Sequence, residues 1–374
     1  MRVVTSFYHS CNMVATSAAL VLLVLATAVY LGYLVPTLVG LIPQRVMLPT
    51  APSHTFAILI PAHNEESGLP ATLQSVMELD YPANLVRVCV VADNCTDDTA
   101  RVPWDFGIRC LVRRDASKRG KGYALAFGLE QILADMPDVV LILDADCQLN
   151  PSALRALDAA FVTGADAVQC AVRACNPDDG PTGYVAAVGS AIDEVMAAGM
   201  HRLGRSVPLR GTGMAFRRSV LERVPWTAFG LVEDAEYSQR LRRAGVRVQH
   251  CRDAKVSSDS PANWADLGRQ RRRWRAAGVL ASKPLGLCLI AMAASVGFAC
   301  GFVWWPATLL LLTAWVYLRA AAAVGFTQRR FGLLLKSPGI VVRLGWVTFA
   351  GLFRRQPTTW DRTPRATEST KRAA

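Results

Sequence analysis

The chain has 374 residues, enough for one large α/β domain with membrane helices or for two soluble domains. It is 52% apolar with a mean hydropathy of +0.25 and a net charge of +12, which argues against a purely soluble chain and for an anionic partner. The apolar excess turns that charge toward lipid headgroups or a phosphorylated substrate and away from nucleic acid, and ten scattered cysteines without a C-x-x-C pair argue against a disulfide framework or clustered zinc site.

In chain order, the first feature is an almost wholly apolar stretch from Met13 to Ile42, punctuated by Gly32, Pro36 and Gly40. About 20 apolar residues span a bilayer, so this predicts an N-terminal anchor within residues 1–50. Ala26-Thr27-Ala28 has the look of a cleavage site, but the apolar run continues past it and favours retention. Between Thr55 and Val256 short apolar strands alternate with helical periodicity. Phe56–Ile60, Val86–Ala92, Ile108–Val112 and Val139–Leu143 read as strands, the first ending at Pro61. Helices are expected from Leu69 to the Tyr81-Pro82 stop, from Gly120 to Leu133, and from Glu233-Asp234 through Ala244 to Gly245. Strands separated by helical crossovers imply a Rossmann-like, mainly parallel sheet over residues 51–280.

Ligands of such sheets bind outside the carboxyl ends of the strands, and three polar clusters fall there: His63 to Glu66, Asp93 to Asp98, and Asp144 to Asp146. Asp144 and Asp146, one residue apart at a strand end, can approach a hard divalent cation whose shell diphosphate oxygens complete; a turn before Pro151 is the plainer reading. Asp97 and Asp98 suit the start of a short helix, which leaves Asp93 as the better candidate for a base or ribose. Lys118-Arg119-Gly120-Lys121-Gly122 opens a helix with cations and exposed N–H groups, suited to a diphosphate but without P-loop spacing. Gly211-Thr212-Gly213 allows close approach of a substrate to the backbone. Glu233 and Asp234 are read either as a helix cap or, for Asp234, as a general base.

A second apolar block, Pro284 to Phe326, is long enough for two spans within residues 281–328, with Trp304-Trp305-Pro306 turning between them at the interface. Gly339 to Phe353 is too short to cross and is expected to lie on the membrane, ahead of a basic tail, within residues 329–374. Basic clusters at Arg269–Arg275, Arg329-Arg330 and Arg354–Arg372 place the central domain on the cytoplasmic face, which suits reduced cysteines. Gln270-Arg271-Arg272-Arg273-Trp274 combines headgroup attraction with phosphate-binding Arg and a flat ring for a sugar.

The ordered series Ile60-Pro61-Ala62-His63-Asn64-Glu65, Asp93, Asp144-x-Asp146, Glu233-Asp234 and Gln270-x-x-Arg273-Trp274 resembles the family 2 glycosyltransferases, which include the cellulose, chitin and hyaluronan synthases and the ceramide glucosyltransferases. The resemblance covers about Thr55 to Gly278 and the flanking membrane layout. It implies a GT-A-type domain, a nucleotide-diphosphate-sugar donor, Mg²⁺ or Mn²⁺, and inversion at the anomeric carbon. It further implies that Pro61, His63, Glu65, Asp93, Lys121 and Asp144 line the donor site and that Asp144 and Asp146 hold the metal. Asp234 would deprotonate the acceptor, with Gly211, Thr212, Gly213, Glu233, Gln270, Arg273 and Trp274 around the acceptor and diphosphate. The chain is shorter than the long synthases, and three spans favour single-sugar transfer to a lipid, lipid-linked or glycan acceptor at a bacterial inner membrane. Membership of a polysaccharide-assembly complex is a further expectation. The alternative is an inactive sugar-nucleotide-binding scaffold of an export complex; a nucleotidyltransferase would explain the acidic pair but not Q-x-x-R-W beside a membrane.

Overall fold

The computed structural model describes residues 2–43, 51–260 and 304–351. The long helix α1 (Arg2–Gly40) precedes β1 (Phe56–Ala62), α2 (Leu69–Met77), β2 (Val86–Asp93), the short α3 (Val102–Asp105), β3 (Arg109–Arg113), α4 (Lys121–Leu133) and β4 (Val139–Ile142). There follow β5 (Cys147–Leu149), α5 (Ala153–Val162), β6 (Ala167–Ala174), α6 (Pro181–Arg202), β7 (Met214–Arg217), α7 (Arg218–Arg223), α8 (Glu233–Arg243) and β8 (Val248–Ser258). Two further helices, α9 (Trp304–Val324) and α10 (Gln328–Gly351), complete the described chain.

The eight strands form one sheet in the order β3-β2-β1-β4-β7-β6-β8-β5. The first four are parallel, β7 runs antiparallel between β4 and β6, β6 and β8 are again parallel, and β5 closes the edge antiparallel. The predicted α/β, mainly parallel sheet is therefore the observed one. β1 and β4 are buried throughout, and such two-sided burial is why these strands read as continuous apolar runs. Successive side chains alternate between two cores. Phe56, Ile58 and Ile60 pack with Leu69 and Leu73 of α2 and Leu154, Leu157 and Phe161 of α5. Ala57 and Leu59 face Leu125 and Leu129 of α4 and Tyr237 and Leu241 of α8.

The four expected strands shift at their ends by one or two residues, and the largest shift has a physical reason. β1 does not end at Pro61 but carries it in register with Val91. Pairing with β4 stops at Leu59, so Pro61 continues where only β2 flanks the strand, an edge-like position that tolerates a missing N–H.

α1 and α9 are long and apolar enough to cross a membrane, with mean hydropathies of 1.8 over Leu23–Gly40 and 1.7 over Trp304–Val324. They are also packed on the α/β domain. Tyr30 and Leu34 of α1 and Leu309, Val316 and Ala320 of α9 form a third core with Tyr184, Val188 and Ile192 of α6. Leu34 is 2% exposed in this contact, so α6 is the seat on which these helices rest. α1 and α6 touch backbone to backbone where they cross: a Cβ on Gly40 would lie 1.8 Å from the Val195 carbonyl oxygen, and one on Gly199 would lie 1.7 Å from that of Pro36. The segment expected to be a short surface helix is longer, since α10 begins at Gln328 and runs 24 residues through Pro338. Arg330 grips Asp178 with two hydrogen bonds of 2.9 and 2.6 Å, tying the α9–α10 turn to the β6–α6 loop. Trp304-Trp305-Pro306 start α9; residues 284–303, expected to form the preceding span, lie outside the described residues.

Candidate active site

The carboxyl ends of β1, β2 and β3 are knitted together by side chains that accept or donate at backbone groups. His63 Nδ1 lies 2.7 Å from the Asp93 carbonyl oxygen, and the Glu65 N–H donates to Thr99 Oγ1 at 2.7 Å. Asn64 and Asn94 both adopt left-handed backbone, which Asn tolerates, and their side-chain oxygens accept from the N–H groups of Thr96 and Asp115. Asp97 caps the turn at Asp98 by accepting from the Thr99 N–H, as its sequence position predicts. Asp93 ends β2 almost fully buried, and its Oδ1 accepts from Arg113 Nη1 at 2.6 Å. His63, Glu65 and Asp93 thus share one rim of the sheet.

Next to that rim, four elements converge on one ammonium group. Lys121, in the first turn of α4, places Nζ 2.5 Å from Asp144 Oδ1, 2.8 Å from the Gly211 carbonyl oxygen and 3.4 Å from Glu233 Oε1. Asp144 lies just past β4, and its N–H donates to Thr212 Oγ1 at 3.1 Å. Gly211 and Gly213 take positive φ of 82° and 64°, a conformation that only glycine adopts without strain. Glu233 and Asp234 form the first turn of α8, and a Cβ on Gly211 would stand 3.6 Å from Asp234 Oδ2. The Asp234 Oδ1 accepts from the Ala235 N–H. Lys121, Asp144, Gly211, Thr212, Glu233 and Asp234, chosen from separate motifs, are therefore neighbours.

Electrostatics follow from this crowding. Burial, reinforced by Glu233, raises the Asp234 carboxyl to about 6, with Lys121 opposing. Burial also raises Asp144 to about 6, Lys121 pulling it down and Asp146 pushing it up. Burial by itself would lower the Lys121 ammonium, but Asp144 and Glu233 outweigh it and the net shift is upward. Three carboxylates share one cation.

Asp144, Asp146 and Cys147 bring potential ligand atoms within 4.8 Å of one another. Cys147 is buried, and burial, with the two carboxylates adding to it, pushes its thiol well above its ordinary value, which leaves Asp144 and Asp146 as the oxygen donors of the group. What remains is a pair of carboxylate groups with the rest of a coordination shell open, the donor set of a hard cation that also binds phosphate oxygens. Mg²⁺ or Mn²⁺ fits this arrangement, and a soft metal does not.

Three residues were not singled out by sequence. Arg113 holds Asp93, also pairs with Asp115 at 3.2 Å, and stands over the Tyr123 ring at 5.8 Å. Tyr123 stacks on Phe229 with centroids 4.4 Å apart and planes within 10°. This ladder joins the Asp93 rim to the loop that enters Glu233. Only the position of Arg113 at a strand end hinted at it. Gly122 lets α4 approach that loop, since a Cβ there would sit 2.1 Å from the Ala228 carbonyl oxygen. Gln270, Arg273 and Trp274 lie outside the described residues.

Comparison with known proteins gives the family and the fold. The model of the family described as "Glycosyltransferase like family 2" matches residues 52–277. The Bacillus subtilis protein named "Probable glycosyltransferase YdaM" is 28% identical over 58% of this chain and 54% of its own length. Beta-monoglucosyldiacylglycerol synthase of Synechocystis is 24% identical over 84% of this chain and 67% of its own length, so the chain spans about half to two thirds of these relatives. Among solved structures, a mannosyltransferase from Pyrobaculum calidifontis in complex with GDP-Man and Mn²⁺ shares the fold at a TM-score of 0.56 and 20% identity, covering 90% of this chain and 97% of that one. With the family model spanning more than half of its length, the chain belongs to the glycosyltransferase-like family 2.

Proposed function

We propose that the chain is an inverting, metal-dependent glycosyltransferase that moves a sugar from a nucleotide-diphosphate sugar to a lipid, lipid-linked or glycan acceptor at a membrane surface. The observation that carries this reading is the convergence of Asp144, Glu233 and Asp234 on Lys121 at the carboxyl ends of the strands, with Asp146 beside them. Three carboxylates against one ammonium leave a negative excess that a cation with a diphosphate would complete. Asp144 and Asp146 would hold the Mg²⁺ or Mn²⁺, and Pro61, His63, Glu65 and Asp93 would border the nucleoside. A cation there would offset the charge that builds on the departing diphosphate.

Asp234 supplies the proton chemistry. Its carboxylate takes the proton of the acceptor hydroxyl as that oxygen bonds to the anomeric carbon and the bond from that carbon to the diphosphate oxygen breaks. The acceptor oxygen enters opposite the leaving group, which inverts the centre. A carboxyl raised to about 6 is a stronger base than an ordinary aspartate and is still ionised at neutral pH. Lys121 balances the carboxylates before the donor arrives and is within reach of its diphosphate afterwards. Glu233, through Lys121, and the Gly211–Gly213 loop hold this set in place, and Gln270, Arg273 and Trp274 would border the acceptor.

The apolar helices α1 and α9, the basic segments and the lipid glycosyltransferase among the relatives support a membrane-bound enzyme with its catalytic domain in the cytoplasm. A domain division at about residues 50, 280 and 328 fits this reading, with α6 bridging the catalytic domain to the helices. The test is to incubate purified protein with radiolabelled UDP- and GDP-sugars, Mn²⁺ or Mg²⁺ and membrane lipid extract. Label that becomes lipid-extractable and disappears on chelation is the expected result. Donor binding with no transfer to any lipid or glycan acceptor would favour the inactive scaffold.

A further inference from the structure

We infer that Gln169 is a positioning residue of the donor site, acting through the Arg210–Gly213 loop. Resting on the functional reading above, it adds a residue that belongs to none of the motifs. Gln169 sits in the middle of β6 and is 1% exposed, between Met214 of β7 and His250 of β8 in register. Its side chain faces the loop with both ends of its amide in use. Oε1 accepts from the Arg210 N–H at 2.9 Å. Nε2 donates to the Thr212 carbonyl oxygen at 2.8 Å and reaches those of Cys170 at 3.1 Å and Gly213 at 3.3 Å.

Those contacts decide what the loop presents. The loop has two glycines at positive φ, so its own backbone preferences do not fix it. Its outward groups are the Gly211 carbonyl, which receives Lys121 Nζ, and Thr212 Oγ1, which receives the Asp144 N–H. Its inward groups are the Arg210 N–H and the Thr212 carbonyl, and Gln169 satisfies both. A buried carboxamide that donates and accepts at once can do this; a carboxylate lacks the donor and an aliphatic chain lacks both. Gly213 is also wedged, since a Cβ there would lie 2.7 Å from Val256 Cγ2 and 2.9 Å from Cys170 Cβ. The loop is thus clamped to β6 on one side and sets the positions of an ammonium and a metal-binding carboxylate on the other.

Gln169→Met keeps the length and removes every one of these hydrogen bonds. Val168→Ala, one residue away but in the core on the opposite face of the sheet, is the control for lost stability. Two measurements on the full chain are needed: amide hydrogen exchange over residues 210–213, and calorimetric binding of Mn²⁺ with UDP and with GDP. Gln169→Met is expected to speed exchange of the loop and to weaken nucleotide binding about tenfold, in line with leaving buried polar groups unpaired. Val168→Ala is expected to lower Tm while leaving both readouts near wild type. Unchanged loop protection in Gln169→Met, or a loosened loop with wild-type affinity, overturns the inference. If Gln169→Met does not fold, Gln169→Asn, which keeps the amide but falls one methylene short, makes the same comparison. A wild-type chain that binds neither nucleotide would count against the proposed donor instead, and loop exchange would then decide the role of Gln169.

Discussion

Two regions of the molecule bury charge, and they do so in opposite ways. Beneath α6, Glu194 meets Arg173 Nε at 2.8 Å and Arg252 Nε at 3.4 Å, and nearby His250 is pushed down to about 4 by burial and stays neutral. At the mouth of the sheet, Asp144, Glu233 and Asp234 share one Lys121. Burial is not what separates them: the Glu194 side chain is 7% exposed and that of Asp144 is 30%. The count of charges is. One carboxylate held by two guanidiniums fastens a helix to a sheet; three carboxylates on one ammonium leave an anionic excess in the crevice, which is costly and is retained where a cation completes it.

The largest effect that would break this comparison is on turnover. Asp234→Asn keeps the size of the side chain and removes the base, so turnover is expected to fall by roughly 10²–10⁴. Binding of Mn²⁺ and nucleotide should stay within a few fold, because Asp234 is not one of the proposed ligands. Turnover close to wild type would strip Asp234 of its role and leave the crevice with no assigned base.

A pH profile sharpens the same contrast. A base works only when ionised, so with Asp234 raised to about 6 activity should be full at pH 7.5 and fall as pH drops through about 6. Asp144, also raised to about 6, must lose its proton to take the cation. For kcat/KM, which reports the free enzyme, the logarithm should therefore drop with a slope approaching two below pH 6. With donor and metal saturating, kcat should retain a slope of one. A flat profile from pH 5 to 8 would mean that neither carboxyl titrates where the crevice puts it.

Stability should respond in opposite directions in the two regions. A carboxyl whose folded-state value is raised favours the folded state below about 4, and that contribution is lost as pH rises through about 6. At pH 7.5 the crevice therefore costs stability, and Asp234→Asn should raise it by about 1–2 kcal/mol, allowing for partial exposure. The gain should vanish near pH 4. Glu194→Gln should lower stability by about 1–2 kcal/mol, less than a fully buried pair would give, since Arg173 and Arg252 reach solvent. Its activity should match wild type. Thermal melts at both pH values check the signs, and destabilisation by both substitutions would remove the distinction.

Much of this was legible in the sequence, for a physical reason. β1, β2 and β4 are buried strands, so their apolar runs stand out, and the carboxylates that follow them mark the strand ends. Pro61 misled the reading because its tolerance depends on where β4 stops pairing, a tertiary fact. The helix α10 was underestimated because Pro338 and the charged residues before it interrupt an apolar pattern without interrupting the helix. The packing of α1 and α9 on α6 had no sequence signal beyond Gly40 and Gly199, since an apolar helix reads alike against lipid or protein. Gln169 was invisible and Arg113 marked only by its place at a strand end, for the opposite reason: a lone polar residue in a strand takes its meaning from what lies across from it.

The smallest expected effect concerns the ladder that joins the Asp93 rim to the Asp234 helix. Phe229 stacks on Tyr123 but is 41% exposed, so part of its contact is with solvent. Aromatic pairs are worth about 0.5–1.5 kcal/mol beyond burial, so Phe229→Leu should cost at most that much. Tyr123 in turn supports Arg113, whose guanidinium is already committed to Asp93 and Asp115. The loss should therefore appear as a rise of roughly twofold to tenfold in donor KM with kcat nearly constant. Arg113→Lys, which cannot serve two carboxylates and a ring at once, should raise KM further. If Phe229→Leu lowers kcat instead, the ladder acts on the loop that sets Glu233 and Asp234, and the two ends of the crevice are coupled more tightly than their charges require.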